Sequence, residues 1–320
     1  MGQGARGVRK DRQRLRQAAR CLSPAIGRLL APHISLLEHT VQEIRLRAAR
    51  PVALVGAQCV WYLTQSGGLT DLPCGDLFRA QPGDLEATFQ RACDYSVYAR
   101  QHELQNGFVT LRGGHRMGVC GTAVMQGGSV LNVRHISSLN LRIAREHRGC
   151  GKKLFAQLRG KSGGVLLCGA PCSGKTTLLR DLARLFSAED GRQTALIDER
   201  GEIAAVCDGV PQNDVGYCDV FDGYPKAQAM EQALRSLSPQ VMICDEIGSE
   251  ADVQAVRSCV HSGVRVIAAV HAADREEATA RPAVRELLKT GAFEQLVFLC
   301  GREHAGELSG VVKSGELCAA

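Results

Sequence analysis

The chain has 320 residues, 45% of them hydrophobic, 22% charged and 4% aromatic, which fits a two-domain α/β protein with room for full cores. No stretch approaches the roughly 18 uninterrupted apolar residues that a membrane span needs, and no apolar h-region follows the basic start, so the expected location is the cytosol. The formal net charge is +6, all of it held by residues 1–20; the balanced body lacks the global basic footprint of a nucleic-acid binder.

Residues 1–20 read as a basic N-terminal extension: Arg6, Arg9, Lys10, Arg12, Arg14, Arg16 and Arg20 against Asp11. Such a tail is either solvated or in touch with an anionic membrane surface or an acidic partner. Residues 21–150 carry no nucleotide motif and read as a small α+β domain. The alternation of Glu43 to Arg47 puts Arg45 and Arg47 on one side of a strand. Residues 84–105 read as helix. Phe108 to Leu111 and His115 to Cys120 read as strands paired about the turn Gly113-Gly114. Val130 to Val133 and Leu139 to Ile143 add strands, and Gly149-Cys150-Gly151 reads as a hinge.

Residues 151–320 read as a doubly wound, mostly parallel α/β domain of the RecA-like kind. The apolar run Gly164 to Cys168 enters Gly169-Ala170-Pro171-Cys172-Ser173-Gly174-Lys175-Thr176-Thr177, which matches the phosphate-loop pattern in full. A helix with Leu178, Leu179, Leu182 and Leu185 on its apolar stripe follows. Glycines let backbone amides curl around phosphates, and the helix directs its positive end at the same anion. Lys175 supplies a mobile charge for the β and γ phosphates, and the Thr176 hydroxyl is placed to ligate Mg²⁺. The strand–loop–helix order makes ATP the expected ligand.

Further apolar runs end in chemistry-bearing residues. Thr194 to Ile197 ends in Asp198-Glu199, with Glu202 close behind; Val264 to Val270 ends in His271; Leu296 to Leu299 is a further run. Met230, Ala233, Leu234 and Leu237 follow helical spacing before Pro239. Val241 to Cys244 then ends in Asp245-Glu246, a second nucleotide motif in which Asp245 serves the metal and Glu246 polarises water. Ligands of doubly wound sheets sit at the carboxyl ends of the strands, so Lys175, Glu199, Asp245 and His271 should converge. His271 is expected to sense the γ-phosphate, and Glu199 is a second candidate for the catalytic water or the metal. Fourteen cysteines occur without a C-x-x-C pair, which argues against a zinc module.

The ATPase half resembles the secretion ATPases of type II and type IV systems in its phosphate loop, its acidic box after the next strand, the Glu246-Ile247 pair and the strand ending in His271-Ala272. It departs from them at Asp245 and Gly248. A more specific resemblance, to the stage III sporulation AA family, rests on Glu43–Arg47, Gly107–Gly118, Asp198–Ala204, Val210–Gly216 and Asp219–Lys226. It covers roughly residues 40–300 and leaves out the first twenty. The resemblance implies a mother-cell ATPase that powers or assembles the channel between mother cell and forespore. It also implies a ring, expected to be a hexamer, docked on an inner-membrane partner. Ring ATPases of this kind complete their sites with arginines; Arg142 and Arg145, and behind them Arg45, Arg47 and Arg116, are the candidates, against a reading as surface ion pairs. The alternatives are a nucleic-acid-dependent RecA-like motor, which the neutral body disfavours, and a nucleotide-gated scaffold with little turnover.

Overall fold

The structure, a computed structural model, describes residues 13–318. The basic residues Arg6, Arg9, Lys10 and Arg12 lie outside the described residues. Two compact units emerge: residues 1–145 with 207–212, and residues 146–206 with 213–320.

The first unit is built on an all-antiparallel sheet. Its strands are β1 (Val41–Arg47), β2 (Ala53–Gly56), β3 (Val60–Leu63), β4 (Leu69–Thr70), β5 (Phe108–Leu111), β6 (His115–Gln126) and β7 (Ser129–Arg142). Their order in the sheet is β4-β3-β2-β1-β7-β6-β5. The β6–β7 hairpin is much longer than the short strands expected at 115–120, 130–133 and 139–143. Beyond Cys120 most of its residues are exposed on both faces, so hydrophobic alternation fades while the ladder continues. Helices α1 (Arg14–Ala18), α2 (Pro24–Leu30) and α3 (Pro82–Ala92) pack on the sheet.

Two expectations are corrected here. Leu15 is fully buried and Ala18 nearly so, so the core begins inside the stretch read as an extension. The helix read over 84–105 ends at Ala92 and resumes only at Val97–Arg100 and Gln101–Gln105. Asp94 and Tyr95 interrupt it with φ of 47° and 60°, left-handed values that end an α-helix.

The second unit is doubly wound. Its strands are β8 (Gly164–Cys168), β9 (Thr194–Asp198), β10 (Asp219–Asp222), β11 (Val241–Glu246), β12 (Arg265–Val270), β13 (Phe293–Leu299) and β14 (Leu308–Lys313). The order is β10-β9-β11-β12-β8-β13-β14, with every pair parallel except β13–β14. β8, β9 and β12 are buried at every position, as strands covered on both faces must be. Helices α4 (Lys152–Leu158), α5 (Lys175–Arg184), α6 (Lys226–Ser236), α7 (Glu250–His261) and α8 (Pro282–Lys289) supply the cover.

The boundary expected at 150 falls at 145. Gly149 and Gly151 belong to the second unit, where their amides donate to Asp181 Oδ2 at 2.9 and 2.8 Å. The stretch read as a hinge is therefore pinned to α5.

Candidate functional site

β8 lies between β12 and β13, and Cys168 stands opposite Val270. That register brings the residues that follow, Gly169 and His271, to the same end of the sheet. From Gly169 the chain turns sharply. Cys172 has φ of 65° and Gly174 has φ of 93°, and α5 starts at Lys175. Glycine at 174 is required twice over. Its backbone is left-handed, and a Cβ there would stand 2.6 Å from the Gly306 amide, which donates to Ser173 O at 2.8 Å. The segment before β14 thus braces the loop. The Ser173 hydroxyl is buried with no hydrogen-bond partner. Ala170 accepts through its carbonyl, Pro171 and Cys172 are exposed, and Thr176 and Thr177 occupy the first turn of α5 half-buried.

The Lys175 ammonium is folded back onto this loop. Nζ donates to Gly169 O at 2.6 Å and Ala170 O at 2.9 Å, and lies 3.0 Å from His271 Nδ1. Burial lowers its pKa, with the charge of Glu246 acting the other way. His271 in turn places Nε2 2.9 Å from Glu246 Oε2. If Nδ1 accepts from the lysine, Nε2 carries the proton toward the carboxylate; one tautomer satisfies both contacts. His271 therefore bridges Lys175 and the acid at the end of β11.

A second cluster lies beside it. Lys226, the first residue of α6 and almost fully buried, sets Nζ 2.9 Å from Asp245 Oδ1 and 3.2 Å from Glu199 Oε2. It also donates to the Glu246 carbonyl. Burial works to lower its pKa, but the Asp245 charge and hydrogen bond outweigh this and carry it up to about 12. Burial pushes the Asp245 carboxyl up to about 6, against the pull of Lys226. Asp245 Oδ2 is buried without a hydrogen-bond partner. An orphaned carboxylate oxygen and the hydroxyl of Thr176 are hard oxygen donors of the kind that Mg²⁺ takes alongside nucleotide phosphates, so the residues present fit such an ion.

The neighbouring turn is held by Asp198, whose carboxylate accepts from the amides of Glu202, Ile203 and Ala204 at 2.9, 3.0 and 2.8 Å. Burial raises its pKa against these three bonds. Arg200 Nη1 stands 3.7 Å from Glu246 Oε2.

Lys175, Glu199, Asp245, Glu246 and His271 are thus gathered at one end of one sheet. Sequence reasoning missed Lys226. Its only signal was membership of the segment Asp219–Lys226, which no nucleotide-binding rule singles out. The candidate arginines belong to the first unit. Arg145 donates to Glu38 O at 3.3 Å and Val41 O at 2.8 Å. Arg45 is paired to Glu43 at 2.7 Å, with Arg142 4.0 Å from the same carboxylate. Arg116 stacks over Phe108 with 3.4 Å to the ring centroid, and Arg47 is exposed at the end of β1.

The profile of the family described as "Sporulation stage III, protein AA" matches residues 11–316, a longer match than the 40–300 expected. "Stage III sporulation protein AA" of Bacillus subtilis (strain 168) is 37% identical over 275 residues, covering 84% of this chain and 85% of the relative. Among solved structures, the ATPase DotB of Legionella pneumophila aligns with a TM-score of 0.55 at 16% identity, covering 85% of this chain and 75% of its own. The pilus retraction motor PilT, solved with bound ADP, aligns with a TM-score of 0.54 at 17% identity, covering 84% and 77%. At such identities the likeness is one of fold.

Proposed function

The chain belongs to the sporulation stage III protein AA family, and we propose that it is a ring-forming, Mg²⁺-dependent ATPase that powers or assembles the channel between mother cell and forespore. One observation carries this reading. Lys175, His271 and Glu246 form a contact chain at 3.0 and 2.9 Å at the mouth of a phosphate loop, beside the buried carboxylate of Asp245.

Each group has a task in phosphoryl transfer. The backbone N–H groups of the loop from Gly169 to Thr177, Pro171 excepted, and the positive end of α5 hold the β and γ phosphates. Lys175, now spent on its own loop carbonyls, exchanges them for phosphate oxygens. Thr176 and Asp245 would hold Mg²⁺, which supplies charge neutralisation on those oxygens. Glu246 orients the attacking water and takes its proton, with Glu199, whose Oε2 lies 3.2 Å from Lys226 Nζ, as the second candidate carboxylate. His271 reports the γ-phosphate to Glu246, because its two ring nitrogens face the phosphate-gripping Lys175 and Glu246.

The fold shared with DotB and PilT supports a secretion-type motor, and we carry over from the family resemblance a homo-hexamer docked on an inner-membrane partner on the mother-cell side. Of the arginines placed in trans, Arg142 is better suited than Arg145. Its side chain is 71% exposed and its ion pair is long at 4.0 Å, whereas Arg145 is committed to two backbone carbonyls.

The test is turnover of the purified chain at several protein concentrations, with and without Mg²⁺, alongside light scattering. ATPase activity that rises with assembly and vanishes in Lys175→Ala is the expected result. Absence of magnesium-dependent nucleotide binding would defeat the proposal. Strong stimulation by single-stranded DNA would favour the nucleic-acid motor instead.

A further inference from the structure

We propose that Lys226 is a built-in cation that holds the acidic end of the site in shape until magnesium arrives, and that Mg²⁺ enters by displacing its ammonium from Asp245. This rests on the reading of the phosphate loop as a Mg²⁺–ATP site.

The geometry is that of a charge standing where a metal would be useful. A single Nζ lies 2.9 Å from Asp245 Oδ1 and 3.2 Å from Glu199 Oε2, and it also donates to the Glu246 carbonyl. These groups come from the ends of two adjacent strands, β9 and β11. Two carboxylates on one nitrogen repel each other, and Asp245 is 8% exposed, so water screens it poorly. A cation between them removes that repulsion. Among the described residues, the nearby Arg200 reaches Glu246 rather than Asp245 or Glu199.

The lysine is built for temporary duty. An ammonium on a four-carbon stem can withdraw without moving the backbone. A divalent ion brings twice the charge, and the nucleotide phosphates complete its shell. Asp245 Oδ2, which has no hydrogen-bond partner, offers the metal a first foothold while Oδ1 is still held. Release of Lys226 would then free Glu199 and the Glu246 backbone in the same step, coupling metal entry to the arrangement of both acids.

The experiment follows binding of a fluorescent ATP analogue as Mg²⁺ is titrated, in the wild-type full chain and in Lys226→Met and Lys226→Arg. Competition between lysine and metal predicts that Lys226→Met lowers the Mg²⁺ concentration for half-maximal binding by about tenfold, the order of a close charge-pair coupling. Lys226→Arg keeps the cation and should stay near wild type. Melting of the nucleotide-free protein should also rise with Mn²⁺ alone in Lys226→Met and not in wild type. If the methionine variant fails to fold, Lys226→Gln, which can still donate to the Glu246 carbonyl, should show the same shift. An unchanged or higher magnesium midpoint, with the analogue still bound, overturns the displacement and leaves the nucleotide site standing. A wild-type chain that binds no analogue at any magnesium concentration overturns both.

Discussion

His271 Nε2 stands 2.9 Å from Glu246 Oε2, a contact between the ends of β12 and β11. The other ring nitrogen faces Lys175, so loss of the ring and loss of the acid should have different signatures. Glu246→Gln removes the proposed base while preserving shape. Turnover should fall by about 10²-fold or more, with ATP retained in the site. His271→Ala should leave nucleotide affinity nearly intact and lower kcat by about tenfold or more. Phosphate release and analogue binding, measured side by side, check both. Unchanged turnover in Glu246→Gln would transfer the base role to Glu199.

Gly174 is the residue on which the loop turns. Gly174→Ala adds a Cβ 2.6 Å from the Gly306 amide at φ of 93°. A left-handed alanine alone costs about 1–2 kcal/mol, and the backbone clash adds to it. The melting temperature should drop by several degrees and nucleotide affinity by at least about tenfold. Gly248→Ala is the control, since nothing lies within 4 Å of its added Cβ; it should melt like wild type.

Cys172 is exposed within the proposed phosphate loop. A bulky thiol reagent there should block nucleotide binding, and Mg²⁺–ATP should protect the thiol. Cys168, one position before the loop, is buried and its thiol is pushed up to about 12 by burial, so it should resist labelling. Peptide mapping of the modified chain distinguishes the two, and labelling of Cys172 that ignores ATP would contradict the assigned loop.

His115 gives the first unit a pH dependence. It is fully buried, accepts from the Ala144 amide at 3.1 Å through Nδ1, and is lowered to about 3 by burial and the nearby Arg14 charge. A histidine held neutral in the fold binds its proton only on unfolding. Its stabilisation is complete above the unfolded value near 6.5 and drains away as pH falls toward 3. By pH 5 the loss should reach about 2 kcal/mol. Denaturation of wild type and His115→Gln at pH 7.5 and pH 5 checks this: the variant should be weaker at pH 7.5 but lose less on acidification.

The strand–loop–helix from Gly164 to Arg184 was legible because its chemistry is local. Backbone amides, a lysine and a helix start must be contiguous to grip a phosphate. Asp245, Glu246 and His271 were legible one step further, because apolar runs mark strands and strand ends mark the site. Lys226 was not. Its meaning comes from Asp245 and Glu199, which are distant in sequence and near only after three strands have stacked. β14 escaped because it is an antiparallel edge strand whose burial alternates while its residue types do not: Gly310 takes an inward position and Val311 an exposed one. The far part of the β6–β7 hairpin escaped for a similar reason: a ladder exposed on both faces leaves little hydrophobic pattern. The site expectation for Arg142 and Arg145 came from the family resemblance, and each arginine has its own partners inside the first unit.

Cys207–Gln212 belongs to the first unit although the chain on either side of it belongs to the second. Asp208 pairs with Arg100 at 3.0 Å and Arg112 at 3.3 Å, and Gln212 accepts from the Gly113 amide at 2.7 Å. The polypeptide therefore passes from one unit to the other three times, at 145/146, 206/207 and 212/213. Severing it at residue 145 would not yield two self-sufficient halves. A fragment starting at 146 would carry a six-residue stitch with nothing to sew into, and a fragment ending at 145 would lack the acid that Arg100 and Arg112 share.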